Sequence, residues 1–493
     1  RMSNAALSAL RYQGLQSLVG SIWKGKPQKL VIDYSSPNIA KRFHIGNLRS
    51  TLIGRYVAKV NSTLGHSVHS VNFLGDWGRH IALIIAYWPK VRPSETYWKS
   101  LSDGEKVKLL TECYVVGNRN METDEEFRNE VRLLHENMEK VLVEKGKDSE
   151  ELREWKDILD VSMSHLKHFY QLFHCQFDLW ILESDEVIRA RRMIDRLLEE
   201  GQLSRTEEGI VMYTGDEDFP FVRMARSDST TLYLTRDVAS LLYRDEYLHA
   251  DKYLYVVERA QRCHFALLKQ VMELIGREDL ADKVEHIRYG RVKGLSTRTG
   301  RTESVTEILE SGREEAAKWM RESPTRKTLS REEEESTASS LALSTLVVSE
   351  LKRARNSDYE FSWRRAFDSS LSNNALFIHT KYSRLCSIEQ HNSSLLQAAQ
   401  NSELTEEAEA SPLVEALEQL PLRVIESAER GESHELIAAL LCIGRESGRV
   451  ASRLRVKGVD EDTAKRRLAL FTLTRHTIEQ TLALIGIDPI HRM

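Results

Sequence analysis

Residues 30–74 constrain this 493-residue chain more than any other stretch. Residues 30–36 (LVIDYSS) form a short run rich in β-formers and read as a strand. A loop follows from Pro37 to Phe43. From Gly46 the pattern turns helical, with Leu48, Leu52, Tyr56, Val57 and Val60 on one face. Gly65 stands where that helix would end, and residues 66–74 read as a second strand. Strand, loop, helix and strand within about 45 residues make a βαβ unit, which demands a parallel sheet and a right-handed crossover.

The remaining chain extends that start. Residues 95–170 are charged and helical in pattern, an insertion rather than more sheet. Strand signals return at 203–235, with turns at 207–209 and 227–229. A helix at 236–247, a strand at 252–257, a helix at 261–275 and a strand at 284–292 complete a doubly wound α/β domain. Residues 321–340 (RESPTRKTLSREEEESTASS) read as a solvated linker or helix face. Beyond them no strand is expected. Helical periodicity at 341–355, 374–390, 413–430, 433–456 and 461–486 predicts an all-α bundle.

Composition narrows the function classes. The length calls for more than one core, and 41% hydrophobic with 29% charged residues is a globular balance. No apolar run approaches the roughly 18–20 residues of a membrane span. The net charge of −4 announces no nucleic-acid partner, so any basic surface must be local. The five cysteines contain no C-x-x-C pair, which suggests neither a zinc knuckle nor a disulfide framework. The first 32 residues hold Arg1, Arg11, Lys24, Lys26 and Lys29 but no acid. That fits an organelle transit segment, or a domain fragment exposed by truncation.

Between the first strand and helix lies Ser35-Ser36-Pro37-Asn38-Ile39-Ala40-Lys41-Arg42-Phe43-His44-Ile45-Gly46-Asn47. A helix N-terminus here offers free N–H groups and a positive dipole end to phosphate. Gly46 lets a ligand approach the backbone. His44 can donate to a phosphate oxygen, and Lys41 adds a point charge. The plain alternative is an ordinary turn with a surface histidine. The wider string closely resembles the HIGH motif of class I aminoacyl-tRNA synthetases, in the version of the arginyl-tRNA synthetases. Asn47 stands where that family has a second His. Asn72-Phe73-Leu74-Gly75-Asp76-Trp77-Gly78 resembles a further family segment, with Arg79-His80 where a Gln usually follows.

The resemblance continues downstream. Arg226 to Ala239 looks like the family's arginine pocket, with Ser229 in place of Gly. A guanidinium is planar, always charged and offers paired donors, which Asp237 would match and Tyr233 would pack against. Glu183 matches a second acid of that pocket. Gln261-Arg262-Cys263-His264 implies a Gln facing arginine and a His near ATP. Residues 290–300 (GRVKGLSTRTG) look like the degenerate KMSKS loop, with Lys41 substituting for its lost Lys. Residues 374–388 and 482–493 resemble the ends of the family's helical anticodon-binding domain. Between them Arg445, Arg449, Arg453, Arg455, Lys457, Lys465, Arg466 and Arg467 could face tRNA or be a solvated face.

The resemblance thus implies a class I synthetase fold: a Rossmann-like parallel sheet with a helical insertion, then an all-α anticodon-binding bundle. The implied division is 1–29 as an N-terminal remnant or extension, 30–325 as the catalytic domain with its insertion around 95–170, and 326–493 as the helical domain. The implied catalytic residues are Lys41, His44, Gly46 and Asn47. Arginine would meet Ser36, Pro37, Asn38, Asn47, Glu183, Tyr233, Asp237 and Gln261. ATP would meet His44, Gly46, His264, Leu295, Ser296, Thr297 and Arg298. The partners implied are L-arginine, ATP with Mg²⁺ as a substrate complex, and tRNA(Arg), with no resident metal, no membrane and a monomeric state. Adenylate formation would require bound tRNA. The mitochondrial branch is the nearest match, with a cytoplasmic enzyme as the alternative. A cysteine or glutamate synthetase fits less well, for want of zinc ligands and because of Asp237. A non-catalytic tRNA-binding protein of the same fold is the more distant alternative.

Overall fold

The structure is a computed structural model that describes residues 4–217, 219–293, 304–322, 330–368 and 370–493. In chain order it contains α1 (Asn4–Gln13), α2 (Leu15–Ile22), β1 (Lys29–Asp33), α3 (Ile45–Thr63), β2 (Ser67–Leu74) and α4 (Arg79–Val91). There follow α5 (Glu95–Ser100), α6 (Asp103–Thr123), α7 (Glu125–Lys145), α8 (Arg153–Leu172), β3 (Leu179–Leu182) and α9 (Glu183–Glu199). Next come β4 (Ser204–Thr206), β5 (Gly209–Tyr213), β6 (Phe221–Ala225), α10 (Tyr233–Leu248), β7 (Lys252–Glu258), α11 (Arg262–Leu274), α12 (Glu278–Lys283) and β8 (Val284–Tyr289). The last part holds β9 (Val292–Lys293), α13 (Val305–Glu322), α14 (Arg331–Leu351), β10 (Tyr359–Glu360), α15 (Trp363–Ala366), α16 (Ala375–His391), α17 (Leu396–Gln400), α18 (Ser411–Arg430), α19 (Ser433–Arg453) and α20 (Glu461–Ile485).

Contacts gather these elements into two compact units, neither continuous in sequence. The sheet unit comprises residues 28–43 and 69–288; the helical unit comprises 1–27, 44–68 and 289–493.

In the sheet unit the strand order is β3-β2-β1-β7-β8. β1 pairs in parallel with β7, from Leu30 opposite Lys252 to Asp33 opposite Tyr255, and β2 with β3. The chain builds outward from β1 on one side, then resumes at β7 on the other. That reversal between β1 and β7 is the switch point at which open α/β sheets bind ligands. Val31, Val71, Tyr253, Leu268 and Val271 are buried around it. The 95–170 stretch is helical, as α5 to α8.

Several boundaries differ from the sequence expectation. The first strand ends at Asp33, not Ser36, because Ser35 and Ser36 take φ of 70° and 43°, which no strand accommodates. The expected strands at 203–235 form a separate antiparallel sheet, β4-β5-β6, that stops at Ala225. Tyr233, Leu234 and Thr235 instead open helix α10. β3, only four residues long, shows too little pattern to be foreseen. The expected strand at 284–292 breaks at Gly290, where a Cβ would lie 2.6 Å from the Ser357 carbonyl oxygen. The acidic stretch at 331–335 is the first turn and more of α14, opened by a Ser330/Glu333 capping box.

In the helical unit, α16, α18, α19 and α20 form the bundle. α1 and α2 join it, burying Leu7, Leu10, Leu15, Leu18 and Val19. Arg11 donates to the carbonyls of Ser402 and Ala399, and Leu15 N–H donates to Gln480. α3 packs on α2, α14, α18 and α20. Among the described residues no helix is long and apolar enough to cross a membrane.

Candidate active site

In the sheet unit, the chain leaves β1 through a chain of side-chain bonds. Ser36 Oγ donates to Asp33 Oδ1 (2.7 Å) and accepts from Phe73 N–H (3.1 Å), so it ties the end of β1 to β2. Asp33 also pairs with the buried Arg244 at 2.7 Å. Burial nevertheless pushes the Asp33 carboxyl above its ordinary range. The next turn meets the second motif. Gly75 N–H donates to the Pro37 carbonyl, and Ile39 N–H donates to the Gly75 carbonyl. The Asn38 side chain occupies the space of a Gly75 Cβ, with Oδ1 2.1 Å from where that atom would be. Only glycine fits there, which explains why these two strings occur together.

Asp76 is buried and accepts from Ser184 N–H (2.9 Å) and Oγ–H (2.6 Å). Burial still raises it to about 6. Glu183, the first residue of α9, is buried and pairs with Arg236 Nε at 2.8 Å. Burial, with the Asp76 and Asp237 carboxylates nearby, raises Glu183 to about 7 against the pull of Arg236. Arg236 is held in turn by the Thr231 carbonyl and hydroxyl. One turn into α10, Asp237 Oδ2 lies 2.6 Å from His264 Nε2 on α11. The Tyr233 ring lies over that imidazole, 4.9 Å between centroids, and remains half exposed. Gln261 is exposed in the turn before α11. Lys41 Nζ sits 4.3 Å from the Tyr114 ring centroid. His80 is pushed down to about 3 by burial and by Lys41, so it is neutral.

In the helical unit, His44 caps α3. Its Nδ1 accepts from Gly46 N–H (3.1 Å), while its own N–H donates to Asn47 Oδ1 (3.4 Å). The exchange is a capping box, with Asn47 in the usual place of Glu or Gln. A Cβ on Gly46 would meet the folded-back His44 ring at 3.0 Å, so the H-x-G spacing has a steric cause. Tyr289 Oη–H donates to the Gly46 carbonyl.

Tyr233, Asp237 and His264 are thus in direct contact, with Glu183 joined through Arg236. Ser36, Pro37 and Asn38 shape the turn beside Gly75. His44, Gly46 and Asn47 form one turn in the other unit. Leu295, Ser296, Thr297 and Arg298 lie outside the described residues. Sequence reasoning gave no role to Arg236, Arg244, Asp33 or Ser184. Arg236, Asp33 and Ser184 sat inside or beside quoted motifs, whereas Arg244 carried no signal.

A switch-point parallel sheet whose first strand leads into a helix, with a helical insertion and a following helical bundle, is the class I aminoacyl-tRNA synthetase fold that the family match shows. The family described as "tRNA synthetases class I (R), catalytic domain" matches residues 14–363, and "DALR anticodon binding domain" matches 378–493. The chain belongs to the arginyl-tRNA synthetase family. It is 29% identical over 502 residues to the mouse "Probable arginine--tRNA ligase, mitochondrial", covering 100% of this chain and 83% of that protein. It is 28% identical to a cytoplasmic arginine--tRNA ligase of Saccharomyces cerevisiae, covering 94% and 77%. The solved arginyl-tRNA synthetase of Thermus thermophilus shares the fold, with a TM-score of 0.74, 20% identity, and 98% and 86% coverage. That of Plasmodium falciparum gives 0.71 at 21% identity, with 98% and 83% coverage.

Proposed function

We propose that this chain is an arginine--tRNA ligase of mitochondrial translation, which activates L-arginine with ATP and transfers it to tRNA(Arg). The observation that carries the choice of amino acid is an acid surplus in the sheet unit. Glu183 feels both Asp76 and Asp237, and Asp33 feels Asp237; among the described residues Arg244 faces Asp33, Arg236 faces Glu183 and Lys147 faces Asp76, so the acids outnumber the cations. Burial raises three of the four, and a further cation beside them favours their ionised forms. A guanidinium supplies it in planar, paired-donor form. Asp237 and Tyr233, with Asn38 and Gln261, hold the substrate; Glu183 and Asp76 supply field.

The arginine carboxylate oxygen attacks the ATP α-phosphorus, forming a new P–O bond as pyrophosphate leaves. The 2′-hydroxyl of the tRNA's terminal adenosine then attacks the adenylate carbonyl, releasing AMP. Catalysis of this kind is positioning and charge stabilisation. His44 and the N–H groups of the α3 N-terminus meet the charge that develops at the α-phosphate. Mg²⁺ enters with ATP and neutralises its phosphates. The helical unit takes the anticodon arm.

One charging assay tests the reading: purified protein with ATP, total organellar or cytosolic tRNA, and each amino acid in turn. Product with arginine alone supports it; no product with arginine from either tRNA pool overturns it. The mitochondrial assignment is supported by the mouse relative's name, and a fluorescent fusion of the full-length protein outside mitochondria would overturn it.

A further inference from the structure

One backbone carbonyl in the helical unit holds two elements at once. The Arg355 carbonyl accepts from Arg49 Nη2 of α3 (2.9 Å) and from Gly290 N–H (2.9 Å), two residues before β9. Arg49 lies one turn after the His44–Gly46 cap, so its place along α3 sets the place of that cap. β9 is tied to the same segment, because Tyr359 N–H donates to the Arg291 carbonyl and Phe361 N–H to the Lys293 carbonyl. The Arg49 guanidinium also pairs with Glu350 at 2.8 Å, and Glu350 accepts from Tyr359 Oη–H at 2.7 Å.

The peptide at Arg355 is itself fixed from the bundle. Its N–H donates to Glu432 Oε2 (3.0 Å), and its Nε lies 3.4 Å from Glu432 Oε1. Glu432 stands in the turn between α18 and α19 and has His434 Nδ1 at 3.2 Å. The last turns of α18 reach α3 as well, through a short bond between Ser427 Oγ and Tyr56 Oη, and Ser427 Oγ–H donates to the Glu432 carbonyl. The turn also reaches the end of α14, where Ser433 Oγ–H donates to the Leu351 carbonyl. One carboxylate of the bundle therefore grips both the backbone and the side chain of the residue that joins α3 to β9.

We propose that Glu432 is a positioning residue for amino-acid activation: through Arg355 it sets where the His44–Gly46 cap of α3 stands relative to β9. The inference rests on the ligase reading above. Arg49 and Glu350 do the same work but are fully buried, so their loss destabilises the whole unit. Glu432 is one-fifth exposed and can be changed with the fold intact. Displacing a reacting group by about 1 Å costs up to about 10²-fold in rate.

The test uses the full chain with tRNA present and measures arginine-dependent ATP–pyrophosphate exchange. Glu432→Ala is expected to lower kcat roughly tenfold, with arginine KM and tRNA Kd within about twofold of wild type. Glu432→Gln keeps an acceptor for Arg355 N–H and is expected to recover most of that loss. Arg430→Ala, a neighbouring exposed charge, serves as the control and leaves kcat unchanged. If Glu432→Ala does not fold by circular dichroism, Glu432→Asp decides: it keeps the charge, withdraws the carboxylate by one methylene, and should still lower kcat. A wild-type kcat in Glu432→Ala, or in Glu432→Asp where that variant decides, overturns the proposal. So does a change in KM alone, or failure of the Gln variant to recover. Wild-type protein that does not charge arginine would instead sink the ligase reading, which separates the two failures.

Discussion

The two units each bury charge, in opposite styles. In the sheet unit, Asp33 and Glu183 each pair with a guanidinium, Asp76 is held by Ser184 and Asp237 by His264, and half-exposed Tyr233 and exposed Gln261 stand nearby. In the helical unit, Arg49 and Glu350 match one to one at 1% and 3% exposure, and Tyr359 satisfies the acid further. A closed, balanced pair is costly to break and does not respond to a ligand. A cluster in which acids outnumber cations favours a further cation. The first kind of burial fixes a helix; the second is the kind we propose for the arginine pocket.

The comparison can be broken at its strongest point first. Glu350→Ala leaves Arg49 buried without its acid and should cost about 3–5 kcal/mol of stability in denaturant unfolding. A loss under about 1 kcal/mol would mean the pair does not anchor α3. Asp237→Ala should leave the unfolding midpoint near wild type and raise arginine KM by about 10²-fold or more, the scale of truncating a bonded charge partner. Unchanged kinetics would remove Asp237 from the pocket. His44→Ala should lower the kcat of pyrophosphate exchange roughly 10²-fold, as loss of one transition-state donor does. The lost cap adds about 1 kcal/mol of destabilisation. Exchange at the wild-type rate would refute the role.

The smallest effect sharpens the contrast through pH. Glu183 is raised from 4.5 to about 7 in the folded protein. Between those values the folded state holds more protons than the unfolded one. The Glu183 contribution to stability therefore falls as pH rises from about 4.5 to about 7. Binding a guanidinium needs the ionised acid, so arginine KM should rise roughly tenfold from pH 8 to pH 6. Glu183→Gln should flatten that profile. A wild-type KM that does not vary between pH 6 and 8 would show that Glu183 is ionised throughout.

Much of this was legible in the sequence because its causes are local. The βαβ start follows from apolar spacing. In the H-x-G turn the histidine ring folds over residue 46, where a Cβ would crowd it at 3.0 Å. The long helices of the bundle announce themselves by period. β3 did not, since four residues carry no period. Tyr233 looked like strand because an aromatic beside Leu232 and Leu234 favours β structure locally, while its position at the head of α10 is set by the fold.

The sequence by itself determined the parallel sheet and the helix that opens after the loop at 37–43, because both follow from spacing along the chain. Only the tertiary structure decided that Asn38 fills the space beside Gly75, that Arg236 claims Glu183, and that Arg355 gathers Arg49 and Gly290 onto one carbonyl. Those are long-range contacts. Their partners are selected by burial and by the need to satisfy polar groups away from water, and neither is visible in the order of residues.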